Sequence, residues 1–173
     1  MKFRLMLLSA MVAATTAAAS AADSQQHIRY YHMWADKTGT THIATCSFKN
    51  FELQQLSSGD SPQYSDTIGT SNDKTIFTIQ PSGWTSDWHK NPAVQWVVPL
   101  SGTWYVRMSD GHVQTMGPGD VALGEDQMAM PAPSGEDAGK TGHAAGNVGR
   151  EAVKLMIVQT DWVPTVGQPC HVK

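Results

Sequence analysis

The sequence predicts an all-β fold, a small barrel of short strands, and three observations point to it. Segments rich in aromatic and β-branched residues recur along the chain, as strands require. Turn signals such as Asp36-Lys37-Thr38-Gly39, Asp110-Gly111 and Gly117-Pro118-Gly119 punctuate them, at intervals of roughly 8–12 residues. Beyond the N-terminal segment, no stretch carries a convincing helical period.

Residues 1–22 read separately from the rest. Lys2 and Arg4 form a basic head, residues 5–14 an apolar run broken only by Ser9, and Ala19-Ser20-Ala21 a small-x-small exit. This is the pattern of a secretory signal peptide, cleaved near Ala21 or Ala22. The run is far short of the ~20 residues that span a bilayer, and no later segment is long and apolar enough to do so. The expectation is an exported protein, secreted or periplasmic, with one domain over residues 23–173. Taking Lys2 and Arg4 from the 12 Lys and Arg leaves 10 facing 15 Asp and Glu, a net charge of about −5 with His neutral. No basic stripe remains, which excludes a nucleic-acid partner.

The elements follow in order. Residues 28–34 and 40–48 read as an N-terminal hairpin around the turn at 36–39. Residues 57–74, rich in Ser, Gly, Asp and Thr, read mainly as loop. Strands are predicted over 75–80, 93–100, 103–108, 113–116, 120–123 and 153–160. Residues 130–150, rich in Pro, Gly and Ala, read as an inserted loop. Cys46 and Cys170 are expected to form one structural disulfide tying the C-terminal tail to an early strand.

The segment from Gly83 to Gly102 carries the chemistry: His89, Asn91 and Gln95 stand between the two glycines. Along an unbroken strand His89, Asn91, Ala93, Gln95 and Val97 share one face. Trp88, Val94, Trp96 and Val98 take the other, which is apolar enough to need cover from a second sheet or a second subunit. The spacing Gly83, His89, Asn91, Gln95, Gly102 resembles the first motif of the cupin superfamily, with Asn91 in place of a histidine and Gln95 in place of a glutamate. The turn Gly117-Pro118-Gly119-Asp120 resembles the one that joins the two cupin motifs, and His143 with Asn147 fits the end of the second. The resemblance spans residues 75–160 and implies a small jelly-roll barrel, here preceded by the N-terminal hairpin read above, with a divalent metal ion, a small-molecule ligand and a homodimer.

Imidazole binds first-row divalent metals well. His89 and His143 are therefore the expected metal ligands, with Gln95 offering a neutral carbonyl oxygen. Two other readings stand beside this one: a metal-free pocket that binds a small molecule, and a hydrogen-bonded interior network with no ligand. The enzyme reading is an oxygenase, isomerase or lyase type of reaction, with Glu125 of the Glu125-Asp126 pair as base. Asn91, Gln95 and Trp104 are candidate ligand contacts, while Trp96 reads as packing. His32 and His42 are expected roughly opposite each other in the first hairpin, as ordinary cross-strand neighbours. Gly139-Lys140-Thr141 lacks the spacing and context of a phosphate loop.

Overall fold

The structure, a computed structural model, describes residues 27–172. The signal segment expected over residues 1–22 lies outside the described residues. β1 (Ile28–Ala35) and β2 (Thr41–Phe48) form the N-terminal hairpin. β3 (Glu52–Gln54) and β4 (Gln63–Ser65) form a small separate one, and β5 (Lys74–Gln80) follows. Then come β6 (Gln95–Ser101), β7 (Thr103–Met108), β8 (Val113–Met116), β9 (Ala122–Glu125), β10 (His143–Val148) and β11 (Val153–Gln159).

One sheet has the order β2-β1-β9-β6-β11-β5, with only the β1–β9 pair parallel among its ladders. A second sheet, β10-β7-β8, lies across the molecule from it. Alternation along each strand sorts the side chains into two layers. Met33, Val97, Trp104, Val106, Met108, Met116, Ala122 and Leu155 fill the space between the sheets. Tyr30, Phe48, Val94, Trp96 and Leu123 form a second cluster on the outer face of the large sheet. Each fully buried aliphatic side chain contributes about 1.5–3 kcal/mol, so the two layers supply the main drive for this arrangement.

The outer cluster is covered by the chain itself. Residues 160–172 cross it: the Trp162 ring stands edge-on to Trp96 at 6.0 Å between centroids, and Tyr30 Oη donates to the Val172 carbonyl at 2.7 Å. Gly167 N–H bonds the Ala35 carbonyl at 2.9 Å, and a Cys46–Cys170 disulfide, with Cα atoms 5.2 Å apart, pins the segment to β2. The face expected to need a second sheet or a second subunit is thus closed, around Val94 and Trp96, by the C-terminal tail. Further along the same face Phe77 and Ile79 of the edge strand β5 remain exposed.

Four expectations change. The stretch 130–150 holds a strand, β10, whose small residues Ala144, Ala145 and Gly146 hid it behind a loop-like composition. The loop before it is pinned through Arg107, which bonds Asp137 at 2.8 Å and Glu136 at 2.9 Å. β3 and β4 form a hairpin where mainly loop was expected. β6 starts only at Gln95, so residues 89–95 are not one unbroken strand. In the first hairpin His42 faces Trp34, while His32 faces Ala44; His42 bonds Asp110 at 2.7 Å and Asp36 at 3.1 Å. Burial acts to raise the pKa of Asp36, but bonds from Thr38, His42 and the Thr40 N–H outweigh it and hold it at about 2.

Candidate metal and ligand site

Before β6 the chain runs alongside β10. Thr85 pairs with Gly146, and His89 with His143, through two backbone bonds of 2.9 and 2.8 Å. A directly opposed pair places its side chains on one face, and the two imidazole centroids are 4.4 Å apart. Gly142 makes the approach possible: a Cβ there would strike the His89 carbonyl, and its φ of 82° suits glycine. The pair opens on a cavity of about 320 Å³ whose wall includes Asn91, Gln95, Trp84 and Trp104. His89 is exposed at its mouth and His143 is buried. None of residues 130–142 contributes to this wall.

The hydrogen bonds fix the tautomers. His89 Nδ1 lies 2.9 Å from the Asp87 carbonyl, which can only accept, so Nδ1 carries the proton. His143 Nδ1 lies 2.7 Å from Asp126 Oδ2. Burial acts to raise the pKa of Asp126, but the bonds from His143 and Asn91 outweigh it and hold the carboxyl below its usual range. Ionised, Asp126 accepts, and His143 also carries its proton on Nδ1. With Nδ1 as the donor in both, each neutral imidazole presents Nε2 as the nitrogen that would ligate a metal.

Asp126 also orients the amides. Its Oδ1 accepts from Asn91 N and Nδ2, both at 2.8 Å, which turns Asn91 Oδ1 toward Gln95 Nε2 at 2.7 Å. Gln95 Oε1 in turn accepts from Gln159 Nε2 at 3.1 Å and keeps a second lone pair. Gly124 admits this chain, because a Cβ there would come within 2.6 Å of Asn91 Nδ2. Asn91 lines the cavity with its side chain already committed to Asp126 and Gln95.

Two facing sheets are what the resemblance implies, and His89 and His143 pair at the edge of the cavity that residues of both sheets line. The fold is cupin-like. No family model and no curated protein matches the chain. Among solved structures it is similar to the Cnp3 cupin domain of Schizosaccharomyces pombe, at 15% identity and a TM-score of 0.37 over 79% of this chain and 86% of that one. It is also similar to a cupin 2 conserved barrel domain protein from Leptotrichia buccalis, at 14% identity and a TM-score of 0.36 over 79% and 78%. A third is protein NMB1881 from Neisseria meningitidis, at 13% identity and a TM-score of 0.35 over 54% and 79%. At these identities the reading of the site rests on the chain's own geometry.

Glu125 sits on the far side of the cupin-like sheet from this cavity. Ala122 and Gly124 face inward, so Leu123 and Glu125 face outward. Glu125 is buried under the tail, accepting from His32 Nε2 at 2.8 Å, His171 Nε2 at 2.7 Å and Thr165 N at 2.7 Å. Burial acts to raise its pKa and these three bonds outweigh it, so the carboxyl is held low. Burial, with the Glu125 charge second, pushes the neighbouring Tyr30 up to about 12. The ligand atoms of His32, Glu125 and His171 lie within 4.8 Å of one another, a group of a size that can surround an ion. The tautomer opposes it: Cys170 N–H donates to His32 Nδ1 at 3.0 Å, so His32 carries its proton on Nε2, toward Glu125.

Asp126, one residue on, is the carboxylate that bonds His143. Strand parity was the signal that could have separated the two. Gln159, Gln80 and His171 had no such signal, since their places depend on the strand register and on the tail.

Proposed function

We propose that this is an exported, single-domain cupin-like protein that holds a divalent metal ion and presents it to a small molecule in the cavity. The carrying observation is the pair of tautomers: His89 and His143 both have Nδ1 bonded to an acceptor, leaving both Nε2 atoms as ligands. Gln95 Oε1 supplies an oxygen donor from the same wall. The metal, when bound, acts as a Lewis acid toward an oxygen of the ligand. The protein's own groups orient it: Asp126 sets the imidazole, the amide chain sets Gln95, and Trp84 and Trp104 shape the apolar side. The disulfide is consistent with maturation in an oxidising compartment. The exposed Phe77 and Ile79 support a homodimer along the β5 edge.

A second reading, a binding module without turnover, is favoured by the cavity wall, which contains no carboxylate to act as base. The metal content of protein purified without added metal tests the first reading. Wild type is expected to hold manganese, iron, nickel, copper or zinc, and His89→Ala to lose it. No metal in the wild type, and none taken up from those ions, would leave the binding module as the account.

A further inference from the structure

We propose that the Cys46–Cys170 bridge is a thiol–disulfide exchange site, opened at Cys170 by a dithiol while the sheets stay folded, and that opening it frees the C-terminal tail. Both half-cystines line a cavity of about 440 Å³ at the end of β2, together with Thr45, Ser47, Lys49 and Asn50. Thr45, Lys49 and Asn50 are exposed. The two cysteines differ: Cys46 is buried, whereas Cys170 is half-buried and follows three exposed residues, Gly167, Gln168 and Pro169. Cys170 Sγ lies 3.7 Å from the carbonyl of exposed Thr45. A bridge inside a core is out of reach of a thiolate, while one that borders solvent is open to exchange. Lys49 is the only charged side chain among the described residues that line the cavity, so the incoming and the leaving thiolate both meet a cation.

The backbone favours release once the bridge opens. Cys170 is the one non-glycine residue with positive φ among the described residues, at 59°, a conformation that L side chains adopt at a cost. The bridge holds it there, with its N–H on His32 Nδ1 at 3.0 Å. The tail has no strand of its own. Its remaining ties include His171 Nε2 on Glu125 and Tyr30 Oη on the Val172 carbonyl, each at 2.7 Å, and the Trp162 ring against Trp96. A segment held in this way opens at lower free energy than the sheets beneath it. Its release uncovers the layer of Tyr30, Trp96 and Leu123.

The exchange is a two-electron reduction. A thiolate of the dithiol attacks Cys170 Sγ, the Cys46–Cys170 S–S bond breaks, and its electron pair leaves on Cys46 Sγ. The second thiolate of the dithiol attacks its own sulfur in the mixed disulfide, and Cys170 leaves as a thiolate. The two protons of the dithiol pass through water to the two cysteines, and the dithiol becomes a disulfide.

The test uses oxidised, full-length mature protein. It is treated with reduced glutathione, a monothiol that stops at the mixed disulfide, then quenched with iodoacetamide and mapped by peptide mass spectrometry. Glutathione is expected on Cys170 and the alkyl group on Cys46. Reduction by dithiothreitol is expected at a rate proportional to thiolate concentration, unchanged within about twofold by urea below the unfolding transition. Chymotrypsin must take the Trp162 ring into its pocket to cut after it. Cleavage there is expected at least about tenfold faster in reduced protein, desalted without air, than in oxidised protein, with the sheet signal in circular dichroism unchanged. The Cys46→Ala/Cys170→Ala double variant, which needs no reductant, should match the reduced protein. A reduction rate that climbs steeply with urea would mean that only unfolded molecules react, and overturns the proposal. Glutathione mapped mainly to Cys46, loss of the sheet signal on reduction, or equal cleavage in the two states overturns it as well.

Discussion

Asp126→Asn is the substitution that isolates the histidine pair from the rest of the fold. In the wild type Asp126 Oδ2 accepts from His143 Nδ1 at 2.7 Å, and Oδ1 accepts twice from Asn91, at 2.8 Å each. The asparagine has two orientations. With its oxygen toward Asn91, both of those bonds survive and an N–H faces His143 Nδ1. Turned the other way, its N–H₂ meets two N–H donors, and each buried unsatisfied donor costs about 1–3 kcal/mol. The first orientation wins, and His143 relieves the remaining conflict by moving its proton to Nε2. That removes the ligating lone pair. Loss of an outer partner of this kind lowers metal affinity about 10–100-fold, or ~1.4–2.7 kcal/mol. Long-range proton–nitrogen correlation spectra of labelled, metal-free protein report the tautomer directly, and competition against a chelator reports the affinity. His143 protonated on Nε2 in the wild type would refute the reasoning at its root. A switched tautomer with unchanged metal affinity would show that His143 is not a ligand.

Two further outcomes are expected at the outer cluster. Glu125→Gln sets its amide N–H₂ either against the Thr165 N–H, in the place of Oε1, or against both imidazoles, in the place of Oε2, where His32 cannot switch because Cys170 N–H occupies its Nδ1. The expected loss is about 2–4 kcal/mol at neutral pH by denaturant titration. Because the folded pKa of Glu125 lies below its ordinary 4.5, its contribution is present above that value and lost as pH falls through the folded pKa. The difference between wild type and variant should therefore shrink on acidification below about pH 4.5, and a difference independent of pH down to 2 would contradict this. Reduction of the Cys46–Cys170 bridge, which closes 124 residues, is expected to cost up to about 5 kcal/mol. Hydrogen exchange should then quicken first at the Thr165 and Cys170 amides, whose acceptors lie across the tail contact; uniform quickening across β1 and β9 would mean that the tail does not open separately.

What the sequence shows and what it conceals divide along physical lines. Strands packed by large or β-branched residues, such as β7 with Trp104, Val106 and Met108 facing inward, announce themselves by alternation. β10 does not, because Ala144, Ala145 and Gly146 are small; at Gly146 the reason is packing, since a Cβ there would come within 2.7 Å of the Tyr105 ring. His89, Asn91 and Gln95 were legible as one group by spacing, His143 only through the second half of the resembled motif and Trp104 only as a separate candidate contact; all five line one cavity. Their geometric basis differs from the expected one, since His89 reaches the wall through a backbone pair with His143 and not along β6. The choice between Glu125 and Asp126 turned on the parity of a four-residue strand whose predicted end, at 123, fell two residues early. The tail contacts depend on long-range closure, for which a single sequence offers only the two cysteines.

The amide at position 95 makes sense once Asp126 is placed. In the resembled motif a carboxylate would stand in Gln95's position, within reach of a metal. Here a neutral amide faces the cavity, while the negative charge sits behind the wall and acts through His143 and Asn91. A carboxylate at 95 would set a second anion on the Asn91–Asp126 chain and would repel the first at low dielectric. It could also no longer donate to Asn91 Oδ1, the bond that fixes the amide's direction. Gln95→Glu should therefore raise affinity for a divalent ion and destabilise the metal-free fold. Both effects have one origin, a charge moved from behind the wall to its surface, and metal titration of the variant's thermal midpoint measures them together. A variant stabilised without metal would mean that the polarity assigned to the chain from Asp126 to Gln159 is reversed.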